Sequence, residues 1–272
     1  MIRFFYIFLL FSLSSAFAQT YSWGASDSAD TIHTRFTVPE GFQRVVAAKG
    51  TFAHWLRHLP LKKGRPPVML HDGRLKGNQN AHVAVIDIDP GKRDLQQCAD
   101  AVMRLRAEYL YANKQFTAIH FNYTSGDKIS FLRWAAGERP VVNGNSVRWK
   151  TNGVLGKDYA NFRNYLKNVF TYAGTYSLRK EMKVVKRVND MQVGDVFIQG
   201  GFPGHAVIVV DVAVHRQTGE KQFLLAQSFM PAQDIHVLQN PLSSSPWYSS
   251  DFGSVLKTAE WTFGKDDLRR FD

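Results

Sequence analysis

Near the carboxyl end of the chain, two apolar runs, HAVIVVDVA from position 205 and FLLA from position 223, are separated by HRQTG. Runs of this length bounded by turn residues predict a hairpin at the centre of a sheet. A turn near 215–219 sets position 205 opposite about position 227 or 228. His205 then stands at the open end of the hairpin, with polar Gln227 and Ser228 closing the returning strand. AHVAVIDIDPGK (81–92) alternates as a strand does and stops at Pro90-Gly91. Residues 94–113 carry the clearest helical spacing, with Cys98, Val102, Leu105 and Tyr109 on one stripe and Asp94 as the expected N-cap. Shorter helices are expected at 48–59, at ISFLRWAAG and from Tyr159 to about Gly174. Asn-Gly turns at 143–144 and 152–153 predict a hairpin within 139–158. AEWTF (259–263) reads as a final strand.

The elements sum to an α+β fold, a central antiparallel sheet with packed helices. No repeat and no long linker divides the chain, which predicts one domain over 19–272 with a possible insertion at 114–190. The first eighteen residues depart from this pattern. Met1-Ile2-Arg3 precedes the apolar run FFYIFLLFSL, and Ala16-Phe17-Ala18 supplies small residues for cleavage, so 1–18 reads as a signal peptide. The expected location is periplasmic or secreted, with no transmembrane anchor, because the apolar run is too short.

Composition changes the picture in two ways. With 44% hydrophobic residues, 20 Phe, 10 Tyr and 6 Trp, the chain has ample material for a core. Its formal net charge of +11 in an exported protein implies attraction to an anionic envelope surface. The basic residues are dispersed and lack interleaved aromatic platforms, which argues against nucleic acid.

The single cysteine, Cys98, cannot form an internal disulfide. It is either a small buried apolar side chain or a reactive thiol at a helix start. A thiol hydrolase needs such a cysteine, a histidine to carry its proton and a polar group to orient the imidazole. Cys98, His205 and Gln227 fill these roles in order, and Gln97 is placed to stabilise an oxyanion. Phe202, Trp247 and Tyr248 are the aromatic residues expected to touch substrate, a cell-wall peptide or glycan. The bland reading is a structural histidine and aromatic packing. Glu108 reads as a partner of Arg104 at i+4, or as the acid of a glycan-cleaving pair with Asp100 or Asp127. His54 and His58 at i,i+4 lack the intervening glutamate of a zinc-protease helix, and no phosphate loop or dinucleotide fingerprint is present. No metal and no cofactor is therefore expected.

A helix-borne cysteine, GDVFIQ, PGHAVIVV and a polar residue on the next strand resemble the NlpC/P60 hydrolases of the papain-like group. That likeness implies a cysteine peptidase or amidase acting on peptidoglycan peptides, with Cys98 as nucleophile, His205 as base and Gln227 as third residue. Gly194-Asp195 match the pair that precedes the histidine strand there. Ala99-Asp100 stand where that group has a small Ser-Gly pair, and the Cys98–His205 separation is longer than usual. The motifs QQCADAVMRLRAEYLY, FPGHAVIVVDVA and FLLAQSFMPAQDIHVLQNP resemble an exported bacterial family carried as a domain of unknown function, DUF4846, found largely in Bacteroides-type organisms. The alternatives to a hydrolase are a non-catalytic envelope binding or scaffold protein of the same fold and a glycan-cleaving enzyme using Glu108.

Overall fold

The hairpin expected from the apolar pattern is the middle of a nine-stranded antiparallel sheet in a computed structural model, which describes residues 21–24 and 29–272. The proposed signal peptide, 1–18, lies outside the described residues. Strands run across the sheet in the order His82–Val85, His236–Leu238, Lys221–Gln227, His205–His215, Val196–Gln199, Leu268–Arg270 and Lys183–Val184. Two short strands, Phe42–Arg44 and Tyr248–Ser249, pair with the far ends of the hairpin. Val207, Ile208, Val209, Val210 and Leu224, Leu225 are fully or almost fully buried. A strand covered on both faces needs no polar alternation, which is why these segments read as continuous apolar runs.

The hairpin register carries a bulge. Leu224 pairs with Asp211 and Leu225 with Val209, so Val210 is the extra residue. Beyond it Ala226 faces Ile208, and continuation sets Gln227 level with Val207. His205 and Gln227 are therefore diagonal neighbours on one face, not the direct partners that simple counting expects. At the other end of the strand Asp211 is buried and paired with Arg44 and Arg57, each Nε at 2.7 Å.

The helix expected over 94–113 spans Cys98–Ala112, with Gln97 as its N-cap. Asp94 does not cap it. Its Oδ1 accepts from the backbone N–H of Ala232 at 2.7 Å and from the Gln97 side chain at 3.0 Å, tying the preceding loop to the end of the hairpin. Asp100 takes over at the helix start, its Oδ2 accepting from the Gln97 N–H at 3.1 Å. This moves Cys98 from the fourth helical position to the first. Apart from Arg106, Tyr111 and Ala112 the helix is buried all round, because it packs on the histidine strand and also against the region expected as an insertion.

That region, 114–190, holds the expected hairpin Glu138–Asn143 and Ser146–Thr151, turning on Gly144-Asn145. Its helix Tyr159–Tyr172 starts on an Asp158 cap and is followed after Gly174 by a second helix, Thr175–Glu181. Phe131, Phe162, Tyr165, Leu166 and Val169 join the same apolar core as the sheet, and Lys183–Val184 adds an edge strand to it. The final strand is Leu268–Arg270. The expected AEWTF strand is only its last part, within Thr262–Gly264, which pairs with Val255–Lys257 in a separate two-stranded ribbon.

Candidate active site

Cys98 opens its helix on the wall of a cleft of about 690 Å³. One side is the loop and helix start at Asp94, Gln97, Cys98 and Asp100, and the other comes from 114–190 as Thr124, Phe170, Thr175 and Tyr176. Phe202, fully exposed, and Met230 stand at the lip. Gly204 lets the two sides close on each other. A side chain there would collide with the Thr175 hydroxyl and the main-chain oxygens of Gln199 and Gly201.

Cys98 is only 6% exposed, and the Ser228 hydroxyl donates to the Gln96 carbonyl at 2.8 Å just before its helix. This bond joins the helix start to the residue after Gln227. Burial, with the Asp100 carboxyl adding to it, pushes the Cys98 thiol up to about 11. First-turn N–H groups favour a thiolate, but removal from water outweighs them here. Asp100 is itself buried, Oδ1 has no hydrogen-bond partner among the described residues, and burial raises its carboxyl well above the usual range. Gln97 lines the cleft half-buried, with its amide donating to Asp94.

His205 lies behind the cleft wall, 1% exposed, between Phe229 and Trp261 with ring centroids at 4.8 and 5.2 Å. Its Nε2 meets Gln227 Oε1 at 2.8 Å. The surrounding hydrogen bonds assign the protons. Gln227 Nε2 donates to Glu260 Oε2 at 2.8 Å, so the amide oxygen faces His205 and Nε2 of the imidazole carries the hydrogen. His236 agrees with this orientation. Its Nδ1 donates to the Asp234 carbonyl at 2.9 Å, leaving Nε2 bare toward Gln227 Nε2 at 3.3 Å. Glu260 is held in turn by buried Lys76. The free lone pair of His205 is thus on Nδ1. Burial, reinforced by the positive charge of Lys76, pushes its pKa down to about 4, and burial pushes His236 to about 3. At neutral pH Cys98 is a neutral thiol and His205 a neutral imidazole.

Several expected residues lie elsewhere. Trp247 and Tyr248 do not reach the cleft. Trp247 is 4% exposed and donates from Nε1 to the Thr37 carbonyl at 3.0 Å, while Tyr248 packs on Phe223 and donates to the Gln239 carbonyl at 2.7 Å. Their strand pairs with the far end of the hairpin, so the core claims them. Glu108 faces no groove. It is sealed with Arg104 at 3.4 Å and the Tyr159 hydroxyl at 2.7 Å. Asp127 is engaged by the Ser125 hydroxyl at 2.7 Å. Asp195, of the expected Gly-Asp pair, anchors Arg270 through both oxygens, and Gly194 at φ +98° leaves room for Phe52. Sequence reading missed Glu260, Lys76, His236 and Trp261. Glu260 and Trp261 sit in the stretch read as a plain strand, and nothing in their local pattern points 33 residues back to Gln227.

No group of three metal-ligating side chains is gathered among the described residues. No helix among them is long and apolar enough to cross a membrane. No curated protein and no solved structure matches the chain. The model of the domain of unknown function DUF4846 matches residues 32–270, from the first described helix to the last strand, and the chain belongs to that family.

Proposed function

We propose that this chain is an exported cell-envelope cysteine hydrolase, a peptidase or amidase acting on peptidoglycan peptides with a papain-like arrangement of its site. The observation that carries the reading is the Ser228 hydroxyl on the Gln96 carbonyl at 2.8 Å, which docks the start of the Cys98 helix, in a cleft, on the hairpin end that holds an imidazole of fixed tautomer. Cys98 gives its proton to Nδ1 of His205 as the sulfur attacks the amide carbonyl, and His205 returns it to the leaving amine. Water then cleaves the thioester by the same exchange in reverse order. Gln227 orients the imidazole and steadies it while it is positive. Gln97 and the first N–H groups of the helix stabilise the oxyanion. Phe202 contacts the substrate at the lip.

The site operates from a neutral pair, so proton transfer accompanies attack and no thiolate is stored beforehand. A non-catalytic binding protein of the same fold is the second reading, favoured by the buried, high-pKa thiol. Incubation of the mature chain with peptidoglycan fragments, with Cys98→Ala as control, separates the two. The hydrolase reading expects new amines and a trapped acyl adduct on Cys98. Bound but intact fragments, with wild type and Cys98→Ala alike, overturn it.

A further inference from the structure

Beside the thiol cleft lies a second recess of about 430 Å³, and Leu95 and Phe170 are common to both walls. Its charged lining is one-sided: Lys92, Arg93, Arg163 and Lys167 against Asp89 alone. Asp89 is already used, one oxygen meeting Arg104 at 2.9 Å and the other Arg163 Nη2 at 3.3 Å. Among the described residues Lys92, Arg93 and Lys167 have no carboxylate partner. Two donors at the base of the recess are also left over. Gln96 is 2% exposed, its oxygen accepts from Arg104, and its Nε2 has no hydrogen-bond partner among the described residues; Arg163 Nη1 makes no hydrogen bond there either, its ion-pair contact being Glu108 Oε1 at 3.8 Å. Buried N–H donors without acceptors are uncommon in a folded chain and mark where an acceptor belongs. A planar guanidinium edge beside an amide N–H suits the two oxygens of a carboxylate.

We propose that this recess binds a carboxylate of the substrate whose amide lies in the Cys98 cleft. The proposal rests on the hydrolase reading for the identity of the ligand, but the recess can be tested without turnover. The fixed acid fits against Arg163 and Gln96, while exposed Lys92, Arg93 and Lys167 draw it in through long-range attraction.

The test follows the Gln96 side-chain amide by nitrogen-15 NMR in Cys98→Ala protein titrated with succinate, succinamide and inorganic phosphate. Saturable shifts with succinate, at least tenfold weaker with succinamide, are expected. Lys92→Glu with Lys167→Glu, both on exposed positions, should weaken succinate at least tenfold, and the milder glutamine pair should weaken it less. In turnover the same variants should raise KM for carboxylate-bearing fragments and leave kcat unchanged. Equal binding of succinate and succinamide, or indifference to charge reversal, overturns the proposal. Phosphate binding tighter than succinate overturns the carboxylate assignment in favour of a free oxyanion. An inert Cys98 with intact succinate binding would sink the hydrolase reading alone.

Discussion

At the amino end of the Cys98–Ala112 helix, His205, Gln227, His236 and Glu260 form a chain in which each proton has one assignment. Further along the same helix Arg104 and Glu108 form a second cluster with Asp89, Arg163 and Tyr159. The first cluster presents neutral groups behind a cleft, with its charged pair, Lys76 and Glu260, one step removed. The second is ionic, with Arg104 and Glu108 sealed at its centre, and Glu108 Oε2 finds no hydrogen-bond partner among the described residues. The contrast separates a buried polar network arranged around an imidazole lone pair from one arranged to hold a helix to its neighbours. Composition cannot distinguish them, since each offers an acid, a base and an aromatic hydroxyl or indole.

Breaking the second cluster should have the largest effect. Arg104→Leu leaves Glu108 without its principal counter-charge in the interior, which should cost about 3–5 kcal/mol in denaturant unfolding. Glu108→Gln should cost less and leave hydrolysis intact. An activity loss above about tenfold in that variant would restore the glycan-cleaving reading.

Acid should move the two clusters in opposite directions. The folded pKa of His205, about 4, lies below its unfolded 6.5, so the unfolded chain binds the extra proton in that window. Its contribution to stability is complete above pH 6.5 and is lost as pH falls toward 4, about 3 kcal/mol at 1.36 kcal/mol per unit. Stability differences between wild type and His205→Gln, measured from pH 7 to 4, should shrink by that amount. Glu108 is raised by burial above its ordinary 4.5, so the folded chain takes the proton first. Wild type should therefore gain on Glu108→Gln as pH falls. A His205→Gln difference that stays flat would mean the imidazole is not held neutral.

The first cluster predicts a kinetic effect of intermediate size. Gln227→Leu should lower kcat by about 10²-fold with KM little changed, since it removes the partner of the imidazolium. Glu260→Gln keeps the contact but no longer dictates the amide orientation, and about a tenfold loss is expected. Nitrogen-15 shifts of His205 should show hydrogen on Nε2 in wild type and a mixture in Glu260→Gln. A pure Nε2–H form in both would remove Glu260 from the account.

What could be read beforehand follows the range of the interactions. The His205–Gln227 pair was legible because a hairpin is local, and even a one-residue bulge leaves diagonal neighbours within reach. The helix bearing Cys98 was legible from its stripe, but its start was not. Asp94 resembles an N-cap in sequence, and only the fold brings Ala232 to claim its carboxylate. The antiparallel sheet was visible in apolar runs. The role of 114–190 was hidden because a helix that walls a cleft has the same apolar face as one that merely packs. Glu260 is 33 residues from the amide it orients.

Trp247 gives the smallest effect and tests how an aromatic residue near a site should be judged. In sequence it shares a segment with Tyr248 and resembles a ligand contact as much as Phe202 does. In the fold Phe202 stands at the lip, whereas Trp247 is sealed at the far end of the hairpin with its indole N–H on the Thr37 carbonyl. Trp247→Phe keeps most of the apolar volume and removes that one donor. It should cost about 1 kcal/mol for the lost hydrogen bond, and leave kcat and KM unchanged. Phe202→Ala should do the reverse, raising KM with little change in stability, because a fully exposed ring contributes nothing to the core. Paired melting curves and steady-state kinetics on the two variants read both quantities. A KM effect from Trp247→Phe would place the substrate across the hairpin's far end and displace the cleft as its seat.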